Sequence, residues 1–300
     1  IKAPYGYVLN NEPKDVELTY AGQEFEVRDT VNTAFENEYQ SVRISLSKVM
    51  ENDKLFGIYD NDYYTSVRFG LFAAEDITAV IPADGLLSEV SLDENMTAKF
   101  DVQIPFGRYY VQEIATDEHY VLNGEKYLVN FEYMGQDIQN VDIDCGQFVN
   151  LLKRGRIEGH KTDDKSEPLE NAVFGLFTAD CVKFSRDTAI MTAASDKNGY
   201  FVFDEIPYGE YIVREIEAPT GYILSGESYP VTVCEDGETI TIRTVNKPIT
   251  VEVSKVDVYG EELIGADMQL ENADGEIIDE WISDGTNHIV TELPAGDYTL

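Results

Sequence analysis

The sequence predicts an all-β protein built from tandem antiparallel β-sandwiches arranged end to end. Short alternating segments rich in Val, Ile, Tyr and Phe are separated by hairpin-type turns such as Asn198-Gly199 and Asp236-Gly237. No apolar stripe with the 3.6-residue period of a helix reaches a convincing length. The spacing of the turns indicates about seven strands in each repeat, as is typical of a β-sandwich.

Internal repeats set the domain organisation. Residues 1–37 align without a gap onto residues 114–150, at a constant offset of 113. A shorter third copy is visible where residues 69–72 match residues 174–177. We therefore predict four segments: the C-terminal part of a repeat at 1–38, a complete repeat with an insertion at 39–152, a complete repeat at 153–248, and the N-terminal part of a repeat at 249–300.

Short connections between the repeats predict a semi-rigid rod. The segment from Asn150 to Lys161 links repeats two and three, and the segment from Asn246 to Lys255 links repeats three and four. Linkers of this length leave little room for independent movement, so we expect each repeat to have its neighbours in the chain as partners.

Three polar residues recur in the same order within the repeats: a lysine, a glutamate and an asparagine. Strand alternation places Lys48 in one row with Val42, Ile44 and Leu46, which predicts that it points into a core. An ionised group in such a row costs several kcal/mol unless it is paired or neutralised. The two complete sets are Lys48, Glu113 and Asn150, and Lys161, Glu215 and Asn246.

Two further sets are partial. Asn37 closes an earlier set whose start is missing, because the matching glutamate would precede residue 1. Lys255 opens a set that the chain end cuts off, and alternation predicts that it shares an inward face with Val251 and Val253. Burying ionisable side chains costs free energy, so their repeated burial suggests that these residues carry out chemistry.

The segment 211–222 carries a family resemblance. Its pattern Tyr-x-Val-x-Glu followed by Ala-Pro-x-Gly-Tyr is similar to the "E-box" of the Cna-B, or SpaA-type prealbumin-like, domains of Gram-positive surface proteins and pilins. The segments 161–163 and 245–248 resemble the first and last strands of that family, and the likeness covers the chain as tandem copies. Repeat two departs from the pattern at residues 115–120. The resemblance implies a prealbumin-like (reverse Ig-like) fold.

The resemblance also implies a covalent isopeptide bond between the lysine and the asparagine of each complete set. Burial disfavours the ammonium form and leaves a nucleophilic amine, while a buried carboxyl group can hold and transfer protons as ammonia leaves. Fixed proximity supplies a high effective molarity. The bonds would join Lys48 to Asn150 and Lys161 to Asn246, with catalytic roles for the glutamates. The alternative is a buried Lys–Glu pair hydrogen-bonded to asparagine.

The function expected from this resemblance is that of a structural stalk in a cell-wall-anchored surface protein or adhesin. The bond forms once per domain without turnover, so the protein is not an enzyme. The localisation implied is extracellular, at the cell wall of a Gram-positive bacterium, with peptidoglycan contacted through a region outside these residues. The alternatives are an adhesive module that engages a host protein or glycan, and a pilin subunit.

The charge balance argues against other partners. Lys and Arg number 22 against 57 Asp and Glu, a net charge of −35, which repels nucleic acid and anionic membranes. The absence of any run of 18 apolar residues predicts no membrane insertion in this segment. We expect no cofactor and no metal site.

Several minor candidates have simpler interpretations. A Cys181–Cys234 bridge is an open alternative, but isolated core residues are favoured for these two and for Cys145. Acidic pairs at 60–62 and 163–164 could bind calcium but are typical of solvated turns. The residues 81–87 form either an apolar binding surface or a hairpin that packs on its own sandwich. Three histidines are expected at surfaces or edges: His119, His160 and His288.

Overall fold

The computed structural model describes residues 2–14, 17–22, 24–28, 35–59 and 63–300, with only the backbone pairing described for 17–21 and 24–28. It divides into two compact units, Ile1–Leu152 and Lys153–Leu300. The predicted all-β class is confirmed, since the one helical element among the described residues is a single 3-10 turn at Tyr64–Ser66. The end-to-end arrangement of the repeats stays a prediction.

The first unit contains a hairpin and a complete β-sandwich. The sandwich packs a three-stranded sheet of order β6-β3-β9 against a four-stranded sheet of order β5-β4-β7-β8. Strands β1 and β2 form the hairpin, and strands β3 to β9 form the sandwich. In chain order the strands of the unit are β1 Glu17–Ala21, β2 Glu24–Arg28, β3 Ser41–Met50, β4 Arg68–Ala73, β5 Leu86–Ser91, β6 Thr97–Val102, β7 Gly107–Ala115, β8 Lys126–Phe131 and β9 Asn140–Asn150.

The second unit contains a complete sandwich of the same topology, with sheets β13-β10-β16 and β12-β11-β14-β15, followed by two smaller sheets. Its strands are β10 Arg154–Asp163, β11 Val173–Thr178, β12 Met191–Ala194, β13 Tyr200–Pro207, β14 Gly209–Glu217, β15 Ser228–Val233, β16 Thr239–Asn246, β17 Thr250–Val253, β18 Ile264–Asn272, β19 Ile277–Asp284, β20 His288–Thr291 and β21 Tyr298–Thr299.

The first and last strands of each complete sandwich run parallel. β3 pairs in parallel with β9, and β10 pairs in parallel with β16, whereas the other pairings are antiparallel. The two strands that enter and leave a repeat are therefore direct neighbours with the same direction. The chain therefore enters the repeat at one end of this strand pair and leaves it at the other, and the C-terminal ends of the first and last strands lie side by side.

One side-chain hydrogen bond recurs in three repeats and marks their common frame. The hydroxyl of Tyr109 donates to the carbonyl of Pro105 at 2.6 Å, and Tyr211 donates to Pro207 at 2.9 Å. In the fourth repeat the Tyr298 hydroxyl donates to the Pro294 carbonyl at 2.7 Å. In each case the tyrosine anchors the turn that precedes its own strand.

The predicted inward rows are buried as alternation requires. Val42, Ile44 and Leu46 are buried together with Lys48, and Tyr109 and Val111 are buried together with Glu113 on β7. Alternation fails for Lys255, which is exposed, as is Val251. In the complete repeats the last strand pairs beside the strand that carries the lysine, and residues 249–300 contain no strand in that position.

The insertion in repeat two packs on its own sandwich. Ile77, Ile81 and Leu87 are half-buried against the core of the repeat, and Thr78 and Ile81 form a short bridge. Val80 at the tip is exposed. The structure thus favours the hairpin over the binding surface. Within the described residues, no helix has the length and apolar character that crossing a membrane requires.

Candidate functional site

The lysine, glutamate and asparagine of repeat two meet in the core between the sheets. Lys48 Nζ donates to Asn150 Oδ1 at 2.6 Å and lies 2.8 Å from Glu113 Oε1. Asn150 Nδ2 donates to the same Glu113 oxygen at 2.9 Å. Lys48 and Asn150 come from the parallel pair β3–β9, and Glu113 reaches across from β7 in the other sheet. The side chains of Lys48 and Glu113 are fully buried.

Repeat three builds the same cluster from β10, β14 and β16. Lys161 Nζ donates to Asn246 Oδ1 at 2.5 Å, and Asn246 Nδ2 donates to Glu215 Oε1 at 2.9 Å. The Lys161 Nζ to Glu215 Oε1 distance is longer, 3.5 Å, in an equally buried setting. The structure therefore brings together both complete sets that the sequence predicts. Their role in bond formation stays a prediction.

Strand register explains why lysine and asparagine meet. Lys48 lies beside Phe148 in the parallel pair, and Lys161 lies beside Thr244. In each case the asparagine is two residues beyond that partner, so it points to the same inward face. An extended lysine side chain spans this diagonal offset and places its amine at the asparagine amide.

A second oxygen of each glutamate is held by the backbone. Asn123 N–H donates to Glu113 Oε2 at 2.8 Å, and Ser225 N–H donates to Glu215 Oε2 at 2.9 Å. One oxygen of the carboxyl group is thus fixed, which leaves Oε1 free to face both the amine and the amide. The glutamate is positioned before any chemistry begins.

The amines lie in apolar surroundings. Lys48 Nζ is 5.6 Å from the centre of the Phe69 ring, and Lys161 Nζ is 5.8 Å from the Phe174 ring. Burial lowers the pKa of both lysines, and the neighbouring glutamate acts in the opposite direction. A lowered lysine pKa increases the fraction of neutral amine, which is the nucleophilic form.

The two clusters differ at a residue that the sequence did not single out. Asn150 Nδ2 also hydrogen-bonds to Thr116 Oγ1 at 2.8 Å. Counted from the glutamate, the position of Thr116 is taken in repeat three by Ala218, which offers no such partner. The only signal in the sequence was that residues 115–120 depart from the Ala-Pro-x-Gly-Tyr pattern.

A second difference lies beside Lys161. The Thr244 hydroxyl is buried and has no hydrogen-bond partner among the described residues, whereas repeat two has Phe148 at the matching position. Phe148 packs edge-on against Phe69 at 4.8 Å between ring centres. Repeat three instead stacks Phe174 on Phe201 at 3.8 Å. Nothing in the structure explains the choice of a threonine here.

The partial sites have no complete cluster. Asn37 is half-buried, and its Oδ1 accepts from the Asn10 backbone N–H at 3.1 Å. Asn123 and Ser225, which match Asn10, donate to a glutamate instead. Lys255 keeps one feature of a first-strand lysine, since Leu263 N–H donates to its carbonyl as Leu169 N–H donates to that of Lys161.

The minor candidates find ordinary roles. All three cysteines are free, so no Cys181–Cys234 bridge forms. Cys145 is buried, as expected, and burial raises its pKa to about 11. The core prediction is wrong for Cys234, which is exposed near the Asp236-Gly237 turn, where a side chain points to solvent.

No group of three or more potential metal-binding side chains occurs in the part of the chain that the structure describes, and residues 60–62 lie outside it. Asp163 accepts backbone N–H groups of Lys165 and Glu167, so it caps a turn. His160 is exposed, while His119 and His288 are half-buried beside Asp117 and Asp279 respectively.

Comparison with known families agrees with this geometry. Residues 155–248, which are repeat three almost in full, match the model of the SpaA family, described as a prealbumin-like fold domain. This match confirms the predicted prealbumin-like fold in repeat three.

Two curated relatives are surface proteins of Gram-positive bacteria. The chain is 31% identical over 90 residues to the trypsin-resistant surface T6 protein of Streptococcus pyogenes serotype M6, which covers 30% of this chain and 15% of that protein. It is 22% identical over 258 residues to the collagen adhesin of Staphylococcus aureus, which covers 80% of this chain and 20% of that protein. The chain thus spans a fifth or less of the length of these relatives.

A solved structure shares the fold. The Bacillus anthracis TIE protein superposes with a TM-score of 0.59 at 20% sequence identity, over 87% of this chain and 45% of that chain. At this level of identity the similarity concerns the fold alone.

Proposed function

We propose that the chain is part of the stalk of a Gram-positive surface protein, stabilised by autocatalytic Lys–Asn isopeptide bonds in repeats two and three. The observation that carries the proposal is the buried contact of Lys48 Nζ with Asn150 Oδ1 at 2.6 Å, repeated between Lys161 and Asn246 at 2.5 Å. A single glutamate oxygen faces both nitrogens in each cluster.

The reaction is an amide exchange. The neutral amine of Lys48 attacks Cγ of Asn150, a new C–N bond forms, the bond from Cγ to Nδ2 breaks, and ammonia leaves. Glu113 Oε1 is 2.8 Å from the attacking nitrogen and 2.9 Å from the departing one, so one carboxyl group can take the proton from Nζ and deliver it to Nδ2. No other reactant is needed.

The position of the bonds suits a load-bearing stalk. Each bond would join the first strand of a repeat to the last, across 102 residues in repeat two and 85 in repeat three. A pulling force that enters through the first strand and leaves through the last would pass through the bond, and the rest of the sandwich would carry little load.

The relatives support the cellular setting. They are an adhesin and a surface protein, which favours an extracellular location at the cell surface and attachment to the cell wall through a region outside these residues. An exposed surface with a net charge of −35 fits a chain that projects from the cell without binding nucleic acid.

Direct adhesion is the second candidate, because one relative is named a collagen adhesin. A binding face would be expected to gather exposed aromatic side chains on one repeat. In the described residues the most exposed ones are divided among three repeats: Tyr5, Tyr7, Phe35, Tyr59 and Tyr259. This distribution favours the stalk over a dedicated binding module.

The test is an intact mass at high accuracy. The purified chain is expected to be lighter than its sequence by two ammonia molecules, because two clusters are complete. Peptide mapping should find Lys48 joined to Asn150 and Lys161 joined to Asn246. An unmodified mass would leave two buried ion pairs and overturn the proposal.

A further inference from the structure

The Ala-Pro-x-Gly-Tyr loop recurs where one repeat meets the next. Residues 3–7 read Ala-Pro-Tyr-Gly-Tyr in repeat one, and residues 218–222 read Ala-Pro-Thr-Gly-Tyr in repeat three. Both glycines have positive φ, 89° at Gly6 and 87° at Gly221. Repeat two has His119 at this position, and its φ is not positive.

The glycine is not needed by the lysine–glutamate–asparagine cluster. Repeat two assembles the same contacts as repeat three with His119 in the loop, and His119 stacks on Tyr63 of its own repeat at 4.2 Å. The cluster therefore does not require a glycine at this position.

Both glycines contact the repeat that follows. A Cβ at Gly221 would lie 2.6 Å from the carbonyl oxygen of Glu292, and a Cβ at Gly6 would lie 3.0 Å from the Tyr39 ring and 3.2 Å from the Phe106 ring. Phe106 lies inside the Pro105–Gly107 turn of its repeat, and Glu292 lies two residues before Pro294, which opens the matching turn. The fit leaves no room for a side chain at Gly221, and a side chain at Gly6 would require the two rings to shift.

A backbone hydrogen bond repeats at both joints. Gln40 N–H donates to the Gly6 carbonyl at 2.9 Å, and Ile249 N–H donates to the Gly221 carbonyl at 2.8 Å. Gln40 and Ile249 are matching residues, each three beyond the closing asparagine. At the second joint Glu292 N–H then donates to the Ile249 carbonyl at 2.9 Å, which extends the contact to the turn.

We infer that the Ala-Pro-x-Gly-Tyr loop is a docking element whose partner is the segment around the Pro-x-Gly turn of the next repeat (103–107 in repeat two and 292–296 in repeat four), and that docking at these two joints requires the glycine. This inference does not depend on the proposed isopeptide bonds. Docking fixes the orientation of consecutive repeats through backbone groups, so it tolerates the divergent side chains of the different repeats.

The test compares glycines with the same backbone conformation and different surroundings. Gly221→Ala and Gly6→Ala add a methyl group at the joints. Gly237→Ala and Gly57→Ala are matched controls, since these glycines have φ of 74° and 72° and no atom within 4 Å of the added Cβ. Amide hydrogen exchange is measured residue by residue on the whole chain by NMR.

Gly221→Ala is expected to speed exchange at the Ile249 and Glu292 amides by about tenfold, and Gly6→Ala to do so at Gln40, while each matched control leaves these amides unchanged. Core amides such as Val213 should keep their protection. Unchanged exchange at the joints would overturn the inference. Equal loss in the controls, or loss of core protection in both joint variants, would also overturn it, because the glycine would then serve its own repeat.

Discussion

Lys161 Nζ lies 2.5 Å from Asn246 Oδ1, although the two residues are 85 positions apart in the chain. They meet because β10 and β16 are parallel neighbours and both side chains point inward from them. An antiparallel arrangement would put the ends of these strands on opposite sides of the sandwich. The parallel pairing of the first and last strands therefore places the lysine near the end of the first strand beside the asparagine at the end of the last.

Thr116→Ala is predicted to slow bond formation in repeat two and leave repeat three unchanged. The variant removes the 2.8 Å contact of Thr116 Oγ1 with Asn150 Nδ2, one of the two hydrogen bonds that hold the departing nitrogen. Losing about 1 kcal/mol of positioning corresponds to a rate decrease of about fivefold. The rate is measured by refolding the chain from denaturant and following each ammonia loss by mass spectrometry.

Repeat three supplies the internal control for that prediction, because it has Ala218 at the matching position. A Thr116→Ser variant keeps the hydroxyl and should restore the rate. If repeat two crosslinks as fast in Thr116→Ala as in the chain without substitutions, the Thr116 hydroxyl does not position the Asn150 amide.

Alternation and spacing were sufficient to predict the clusters. The inward row from Val42 to Lys48, and the order of lysine, glutamate and asparagine, located all six residues without coordinates. Thr116 could not be found this way, because its contact depends on how the loop after Glu113 folds back to Asn150. Alternation could not predict the exposure of Lys255, because β17 ends at Val253 and residues 249–300 contain no last strand to pair beside it. The exposure of Cys234 follows from alternation, because buried Val231 and Val233 put residue 234 on the outward face of the same segment.

Limited trypsin digestion is predicted to cut the terminal segments, 1–38 and 249–300, before the two complete repeats. Lys255 is exposed, whereas Lys48 and Lys161 are buried and would be amides that trypsin does not cleave. A bond between first and last strands also restricts the local opening that a protease needs. The fragments are identified by mass. Equal rates of cleavage throughout the chain would contradict the protection expected from the bonds.

Asn246→Ala is predicted to become more stable as the pH rises, because it leaves Lys161 as a free buried amine. Burial lowers the pKa of Lys161 below its ordinary value of 10.5. Between that lowered value and 10.5 the unfolded chain binds more protons than the folded chain, so the free energy of unfolding increases with pH. The measurement is urea denaturation across the alkaline range.

The control for this pH dependence is the double variant Lys161→Met with Asn246→Ala, which has no amine in the core. The chain without substitutions should also lack this pH dependence of stability, because Lys161 is then part of an amide whose nitrogen does not titrate in this range. The same slope in all three proteins would assign the pH dependence to other groups.

Glu215→Gln is predicted to leave repeat three folded but unlinked. Glutamine keeps the size of the side chain and can still hydrogen-bond to Asn246, but it cannot carry a proton from Lys161 Nζ to the departing ammonia. The free energy of unfolding of repeat three should fall by about 4.5 kcal/mol, the value expected for losing closure of a loop of this length. Leaving Lys161 without its carboxylate adds to this loss.

Intact mass and thermal melting are compared for Glu215→Gln, Glu113→Gln and the double variant, with Glu210→Gln as a control at an exposed position of the same strand, β14. Each core substitution should restore one ammonia to the mass, and the control should restore none. The clusters lie in separate cores, so Glu215→Gln should leave the Lys48–Asn150 bond intact. Full crosslinking in Glu215→Gln would show that bond formation does not require the Glu215 carboxyl group. Loss of the repeat-two bond in the same variant would show that the two repeats do not fold independently.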